Sequence, residues 1–232
     1  MRILGLTGGI ATGKSTVSNI LRADKFPIID ADLIAREVVQ PGTPGHRRIV
    51  AAFGTTVLQD DTDPNSPLDR AKLGTRVFSD PEARAKVNAA THPYIRLEML
   101  RQLLWHFLTG CSAVILDTPL LFEAHLSRWV HLIIVVYVPK QLQKDRLMMR
   151  DGIDRTAANQ RIDSQMDIEA KRQLAHIVID NTGTLDETRQ NVKAVLPKLR
   201  PSRILSAAVW AVLLWPAALC YSGLSVYRWL KI

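Results

Sequence analysis

The chain contains five short apolar runs in which hydrophobic residues do not alternate with polar ones. They lie at residues 2–7, 27–30, 113–117, 131–138 and 176–180. Such runs are typical of strands that are buried on both faces of a parallel sheet. The stretches between them predict helices over residues 15–23, 33–39, 47–53, 81–108, 140–150 and 185–199. Because strands and helices alternate along the chain, the pattern predicts a three-layer α/β fold.

The last part of the chain has a different pattern, with 24 consecutive uncharged residues at positions 204–227. As a helix this segment would be about 36 Å long at roughly 1.5 Å per residue, which exceeds a hydrocarbon core of about 30 Å. Cationic residues flank both of its ends, at Arg200 and Arg203 and at Arg228 and Lys231. We predict a folded domain over residues 1–199 and a C-terminal hydrophobic helix over 204–227 that crosses or lies on a membrane. The alternative is a terminal helix that packs on the domain.

Composition adds three expectations about the surroundings of the protein. The net charge of +8 suits polyphosphate ligands, and no stripe of basic residues interleaved with aromatics indicates nucleic acid as a partner. Cys111 and Cys220 are the two cysteines, so a disulfide framework is not expected and a reducing compartment is. Because the first strand begins at residue 2 and the apolar segment is C-terminal, we expect no leader peptide. We therefore expect the domain on the cytoplasmic face of an intracellular membrane.

A glycine-rich motif follows the first predicted strand and opens the first predicted helix. Its glycines allow consecutive backbone N–H groups to turn toward one anion, and the helix N-terminus also favours negative charge. Lys14 is then placed to contact the β- and γ-phosphates of a nucleotide, and the Ser15 hydroxyl to bind Mg²⁺. A glycine-rich turn that binds nothing is disfavoured by this order of strand, loop and helix. The predicted ATP-binding residues in the motif are Gly8, Gly9, Ile10, Ala11, Thr12, Gly13, Lys14, Ser15 and Thr16.

Acidic residues follow the second and third predicted strands, at the sheet edge where such folds bind ligands. Asp32 is predicted to orient and deprotonate the acceptor hydroxyl of a phosphoryl transfer, and Lys14 to act with it in catalysis. The alternative for Asp32 is the N-cap of the helix over 33–39. Asp30 is predicted to be structural or to bind a metal-bound water. Asp117 is either a second Mg²⁺ ligand or an ordinary turn residue at a strand end.

Arginines on and after the helix over 140–150 are candidates for binding phosphate. Arg146 and Arg150 lie four residues apart and therefore share a helix face, from which guanidinium groups can grip phosphates or stack on adenine. The charged segment over 151–165, with Arg155 and Arg161, is predicted to be a mobile lid that excludes water. The alternative for these arginines is a solvated basic surface. Asn181, at the end of the last strand, completes the predicted ATP site.

The chain also resembles the dephospho-coenzyme A kinase family over residues 1–199. The resemblance rests on the sequences at 5–16, 29–32, 35–42, 91–93, 116–123, 143–147 and 178–183. It implies ATP-dependent phosphorylation of the ribose 3′-hydroxyl of dephospho-coenzyme A, the last step of coenzyme A synthesis, with ATP and Mg²⁺. It also implies a nucleotide-kinase-like fold with a core, a helical substrate-binding region and a lid. The apolar tail departs from the compact family pattern and is similar in layout to membrane-associated eukaryotic members.

The resemblance further implies roles for individual residues. Asp32 matches the family's proposed base, and the segments around His92-Pro93 and after the third strand match those that help hold the substrate. His92 is also open to interpretation as a helix-breaking pair with Pro93. The predicted substrate-binding residues are Asp32, His92, Pro119, Leu120, Glu123, Arg155 and Arg161.

Two other functions stay open at this point. The first is another P-loop kinase of small molecules or nucleosides, which would share the P-loop lysine and the lid arginines. The second is a membrane-tethered scaffold without turnover, against which the complete set of kinase residues argues. A GTPase is disfavoured because no Asn-Lys-x-Asp segment follows a strand. Binding to enzymes of the same pathway is an open hypothesis.

Overall fold

A computed structural model describes residues 1–200 of the chain, apart from the side chains of residues 78 and 79. The hydrophobic segment predicted over 204–227 therefore lies outside the described residues. Within residues 1–200, no helix combines the length and the hydropathy that crossing a bilayer requires.

The centre of the fold is a five-stranded sheet in which every pair of neighbouring strands is parallel. The strands are β1 (Arg2–Gly8), β2 (Ile28–Asp30), β3 (Ala113–Asp117), β4 (Leu132–Tyr137) and β5 (Ile177–Asp180). Their order is β2-β3-β1-β4-β5, so β1 is central. Each predicted apolar run forms a strand, and the predicted parallel sheet is confirmed. Since all carboxyl ends meet at one edge, residues that follow different strands are brought together there.

Helices cover both faces of this sheet, which confirms the three-layer α/β prediction. They are α1 (Lys14–Ala23), α2 (Ala31–Glu37), α3 (Pro44–Phe53), α4 (Arg70–Ser79), α5 (Pro81–Leu108), α6 (Lys140–Asp151), α7 (Arg155–Asp163), α8 (Ile168–Gln173) and α9 (Leu185–Leu199). On one face α1 and α9 bury their apolar sides against the strands, around Leu21, Val192 and Leu199. On the other face Ile34 of α2, Met99 of α5 and Ile168 of α8 pack on the sheet.

The sequence pattern did not predict the helices α4, α7 and α8, and it assigned the α7 stretch only to a lid. Helix α4 contains Gly74 and begins after Asp69, whose carboxylate accepts hydrogen bonds from two backbone N–H groups of its first turn. Helix α8 has six residues, which is too short for a periodic pattern, and the carboxylate of Asp167 caps it by accepting a hydrogen bond from the Glu169 N–H. In both cases an Asp before a short helical stretch was the available signal.

A helical region projects from the sheet between β2 and β3. It is made of α3, α4 and the N-terminal half of α5, which enclose a small core of their own around Ile49, Leu58 and Leu68. Buried His46 holds the polar loop over 60–67 against α3, because its Nε2 lies 2.9 Å from the Ser66 carbonyl. Helix α5 runs unbroken through Pro93, so the interpretation of His92-Pro93 as a helix-breaking pair is wrong.

Candidate active site

The glycine-rich loop between β1 and α1 is held in one conformation by contacts with the rest of the domain. Gly13 caps α1 with a φ of 82°, and a Cβ at this position would lie 2.1 Å from Nδ2 of Asn181. That Nδ2 donates a hydrogen bond to the Thr12 carbonyl at 2.7 Å, and the Thr12 hydroxyl donates to the Gly9 carbonyl at 2.8 Å. A side chain at position 13 would therefore push away Asn181 and disturb the loop. In the first turn of α1 the Thr16 N–H donates to the Gly13 carbonyl at 3.0 Å, and the N-terminus of this helix is favourable for an anion.

Lys14 reaches from this loop to the end of β3. Its Nζ lies 2.5 Å from Oδ1 of Asp117, and the two side chains are 17% and 3% exposed. Asp117 in turn lies in register with Asp30 on β2 and with Leu6 on β1. The ends of the three neighbouring strands β2, β3 and β1 thus bring the lysine and the two acids to one place, as the sequence predicted.

Asp30 and Asp32 have different roles at the start of α2. The backbone N–H groups of Asp32 and Leu33 both donate to Oδ1 of Asp30 at 3.0 Å, so Asp30 is the N-cap. The alternative that Asp32 caps this helix is therefore wrong, and the structural role predicted for Asp30 is confirmed. Within residues 1–200, no hydrogen bond engages the Asp32 carboxylate, which stays accessible in the open cleft. This carboxylate is free to accept a proton from a bound molecule.

The environment of Asp32 changes its acidity. Partial burial raises the pKa of its carboxyl above the ordinary value of 3.8, and the nearby charges of Asp30 and Asp117 raise it further. Lys14 and Arg36 act in the opposite direction without cancelling the rise. A carboxylate with a raised pKa is a stronger base than an ordinary one, as a proton acceptor in catalysis requires.

On the other side of the loop, the ends of α6 and β5 form a polar surface. The guanidinium group of Arg146 donates to the Asn181 carbonyl at 2.9 Å, and the Thr188 hydroxyl donates to Oδ1 of Asn181. Since Asn181 also contacts the glycine-rich loop, Arg146 lies beside that loop through a common partner. Buried Gln143, which the sequence pattern did not single out, lies against Gly9, where a Cβ would lie 2.5 Å from its Oε1.

The segment predicted to be a lid contains α7, which packs over the glycine-rich loop. Ala158 and Ile162 of α7 form an apolar cluster with Leu147 of α6, against Ile10 and Ala11 of the loop. Two other arginines point away from the loop: Arg150 of α6 and Arg161 of the lid both pair with Asp151, at 2.8 Å and 2.6 Å. Arg155 lies exposed in the first turn of α7. The structure thus brings Arg146 close to the loop, whereas Arg150 and Arg161 are engaged at the start of the lid.

The residues that follow β3 contribute a second set of contacts. The Pro119 carbonyl accepts a hydrogen bond from the Thr7 hydroxyl at 3.0 Å, and the Leu120 side chain is exposed. Glu123 pairs with Lys171 at 2.9 Å and accepts a hydrogen bond from the Met166 N–H at 2.9 Å. Burial raises the pKa of the Glu123 carboxyl, but the hydrogen bonds from Lys171 and from backbone N–H groups lower it more. Glu123 is therefore ionised and already occupied by partners.

A cavity of about 520 Å³ opens between α2 and the helical region. Ala35 of α2 and Val39, which follows that helix, line it from one side, and His92 and Thr91 of α5 line it from another. Asp32 and Ala35 are spaced three residues apart within α2 and therefore lie along one face of that helix. The Asp32 carboxylate at the start of this helix is therefore on the same helix face as Ala35, which lines the cavity.

Comparison with known proteins assigns this arrangement to a family. The sequence profile of the family described as dephospho-CoA kinase matches residues 2–187. A dephospho-CoA kinase from Oryza sativa subsp. japonica is 47% identical over 196 residues, which cover 84% of this chain and 84% of that protein. The chain belongs to the dephospho-CoA kinase family.

Solved structures agree with this assignment. TT1252 from Thermus thermophilus superposes with a TM-score of 0.70 at 33% identity, over 86% of this chain and 98% of that one. A dephospho-CoA kinase from Campylobacter jejuni gives a TM-score of 0.59 at 31% identity, over 86% and 97% of the two chains. The family resemblance and the P-loop kinase fold expected from the sequence are thereby confirmed for the described part of the chain.

In this member of the dephospho-CoA kinase family, three residues of the site besides Gln143 escaped sequence reasoning. Lys171 is completely buried beside Glu123, and Gln165 accepts a hydrogen bond from the Ile10 N–H at 3.0 Å. Thr188 orients Asn181 from α9. Each contacts the site from a distant part of the chain or through an intermediate residue. Only Lys171 had a local signal, as a lone lysine on the α8 stretch next to apolar residues, and that signal is weak.

Proposed function

We propose that this enzyme transfers the γ-phosphoryl group of ATP to the ribose 3′-hydroxyl of dephospho-coenzyme A, and so completes coenzyme A. The observation that carries the proposal is the carboxylate of Asp32. It is free of hydrogen bonds within residues 1–200, it has a raised pKa, and it lies beside Lys14 at the sheet edge where the glycine-rich loop ends. The kinase relatives described above support this reaction.

The donor half of the proposal rests on the glycine-rich loop. ATP would place its β- and γ-phosphates against the first-turn N–H groups of α1 and against Lys14. Lys14 would then exchange its contact with Asp117 for the phosphates. Arg146 and Asn181 border the loop on the β4–β5 side. The adenosine end of the nucleotide would lie on that side.

The acceptor half rests on α2 and the cavity beyond it. The ribose 3′-hydroxyl would lie at Asp32, and the rest of the acceptor would extend along the α2 face past Ala35 and into the cavity that Val39 also lines. A cavity of about 520 Å³ falls in the usual range of about 300–1,000 Å³ for small-molecule sites. His92 lines this cavity and is accordingly placed to contact the acceptor. The cavity is therefore our proposed site for the pantetheine arm.

In the proposed reaction, Asp32 accepts the proton of the 3′-hydroxyl as its oxygen bonds to the γ-phosphorus. The bond between that phosphorus and the β,γ-bridging oxygen breaks, and ADP leaves. Lys14 stabilises the charge on the transferred group, and the apolar side of α7 keeps water from the phosphates. Arg155 and Arg161 lie on the lid. Arg161 would contact phosphates only after it leaves Asp151.

The residues present fit Mg²⁺. The Ser15 hydroxyl and the Asp117 carboxylate are oxygen donors, which this cation prefers. Among residues 1–200, no group of three or more His, Cys, Asp or Glu side chains could hold a metal ion by itself. This agrees with a cation that takes most of its ligands from the nucleotide and from water. When bound, it would neutralise charge on the phosphates.

The rate of ADP release by the full chain tests the proposal. Dephospho-coenzyme A, AMP and adenosine would be compared as acceptors with ATP and Mg²⁺. We expect turnover that depends on dephospho-coenzyme A. Turnover with another acceptor alone would assign the chain to a neighbouring kinase activity. A folded chain that binds ATP and uses none of the three would support the scaffold alternative.

The raised pKa of Asp32 predicts the acidic side of the pH profile. The base works when ionised, so kcat/KM should fall as the pH drops through a midpoint above about 4, the ordinary value for Asp. Asp30→Asn should move this midpoint to lower pH, because the asparagine still caps α2 while one of the charges that raise the pKa is removed. ATP also titrates, and the pH profile of the residual activity of Asp32→Asn serves as the control for it. An unchanged midpoint in Asp30→Asn would contradict the prediction.

The segment over 204–227 supports a second proposal, that the chain is attached to the cytoplasmic face of an intracellular membrane. Its 24 uncharged residues and flanking cations support attachment. Deleting residues 204–232 should release the chain from the membrane fraction and leave its specific activity unchanged. Fractionation of the full and shortened chains, each followed by the kinase assay, checks this. Loss of folding in the shortened chain would instead favour a tail that packs on the domain.

A further inference from the structure

Lys171 is a charged side chain that the proposed reaction does not use. It is completely buried, at 0% exposure, on α8 beneath the glycine-rich loop. Lysine is almost never fully buried unless its ammonium group is paired. The partners of its ammonium group therefore determine what Lys171 does beside the site.

The ammonium group of Lys171 has three oxygen partners, one for each of its protons. It lies 2.9 Å from Oε1 of Glu123, 2.7 Å from the Pro119 carbonyl and 3.4 Å from the Gly8 carbonyl. Gly8 is the last residue of β1 and the first of the glycine-rich loop. Pro119 follows Asp117 at the end of β3. One side chain thus connects the two strand ends that carry Lys14 and its partner Asp117.

The same contacts reach the C-terminal end of the lid. Just after α7, the Gln165 side chain accepts a hydrogen bond from the Ile10 N–H at 3.0 Å, and the Met166 N–H donates to Glu123 at 2.9 Å. Lys171 follows five residues later. At the other end of the lid, α6 ends at Asp151, and Gly152 caps the helix with a φ of 64°. The lid is therefore bonded to the loop and to Glu123 at one of its two ends.

We propose that Lys171 and Glu123 are a pair of positioning residues that hold the end of the lid and the glycine-rich loop in one fixed arrangement. The inference rests on the proposed kinase function. The carboxylate of Glu123 is used by Lys171 and by the Met166 N–H, so the pair accounts for Glu123 without a direct contact to substrate.

A purely stabilising role would not need charge at this position. Replacing a buried ion pair by apolar residues of similar size is often neutral or stabilising, whereas removing one partner leaves an uncompensated charge. What an apolar pair cannot supply is directed hydrogen bonding to two carbonyl groups and one N–H. The ion pair is therefore suited to setting geometry, and small displacements of reacting groups are costly to the rate.

Lys171→Met should lower kcat by about 10²-fold, the scale of a misplacement of about 1 Å, with little change in ATP affinity. It should also raise the ratio of ATP hydrolysis to phosphoryl transfer, because a loosened lid admits water. Both products are measured in one reaction, as inorganic phosphate and as phosphorylated acceptor. Lys171→Arg, which keeps the charge and the donors, should recover part of the transfer rate.

The double variant Lys171→Met with Glu123→Met separates positioning from stability. It leaves no unpaired buried charge, so it should regain the thermal stability that Lys171→Met loses, while kcat stays low and the hydrolysis ratio stays high. A double variant with wild-type kcat and hydrolysis ratio would overturn the inference. The matched control is Lys140→Met, which removes a lid ion pair whose partners are 48% and 59% exposed, and it should behave as wild type.

Amide hydrogen exchange provides a readout that does not depend on the acceptor. In both the single and the double variant, exchange should accelerate at Ile10 and Met166, whose N–H groups belong to this arrangement, and not across the sheet. If the wild-type chain fails to phosphorylate dephospho-coenzyme A, the proposed function fails and the exchange comparison still tests the pair. Unchanged exchange at both amides in the double variant would overturn the inference.

Discussion

Asp32→Asn should lower turnover with dephospho-coenzyme A by about 10²- to 10⁴-fold, which is the usual contribution of a general base. Asparagine has nearly the same shape, but its amide does not take up the proton of the acceptor hydroxyl. The variant should bind ATP as the wild type does, because the contacts of the glycine-rich loop do not include Asp32. The kinase assay at saturating ATP and a titration with ATP check the two parts.

The same substitution should make the folded enzyme more stable at neutral pH. The pKa of Asp32 is raised in the folded state, so its ionised carboxylate destabilises the fold above the ordinary pKa of 3.8. The gain in free energy of unfolding should shrink as the pH falls from the raised pKa of the folded state toward 3.8, and it should be absent below 3.8, where Asp32 is protonated in both states. Asp61→Asn, in the exposed loop before α4, is the matched control and should change neither property. Parallel loss of stability and activity in Asp32→Asn would show that Asp32 is a structural residue.

Lys14→Ala should lower kcat by about 10²- to 10³-fold, the cost of one preorganised group that stabilises charge in the transition state. The substitution also leaves Asp117, whose side chain is 3% exposed, without the cation that now lies 2.5 Å from it. The ATP-free variant should therefore have a lower melting temperature than the wild type. Turnover and thermal unfolding of the same preparation measure the two effects.

Lys193→Ala is the matched control for Lys14→Ala, because Lys193 is an exposed lysine on α9. It should retain turnover and stability. Wild-type turnover in Lys14→Ala would mean that the glycine-rich loop is not the phosphoryl-donor site. A melting temperature unchanged by Lys14→Ala would mean that the contact with Asp117 contributes nothing to the ATP-free state.

The start of α2 shows how far local sequence reasoning reaches. Two aspartates, at 30 and 32, precede the apolar residues of the helix, and either satisfies the preference for Asp at an N-cap. The choice follows from where β2 ends, since Asp30 has an extended backbone conformation and Asp32 is already helical. That boundary depends on the pairing of β2 with β3, in which Asp30 lies opposite Asp117, 87 residues further along the chain. The sequence therefore indicated the right pair of residues and left their roles open.

The arginines of α6 show a second difference between the sequence prediction and the structure. Arg146 and Arg150 share a helix face by spacing, and the sequence predicted one common role for them. In the structure Arg146 donates to Asn181 while Arg150 pairs with Asp151. Side-chain direction near the end of α6 is decided by the nearest acceptor, and spacing along a helix does not identify that acceptor.

By itself, the sequence determined the five strands, most of the helices, the glycine-rich loop and the family. These features depend on residues that are neighbours in the chain, so composition and spacing contain their physical cause. The tertiary structure alone decided that Asp32 is free, that Glu123 is occupied, and that Lys171 is buried beneath the loop. Lys171 lies 52 and 163 residues from the carbonyl groups that it binds. Contacts over such distances are set by the packing of the whole domain, which no local pattern records.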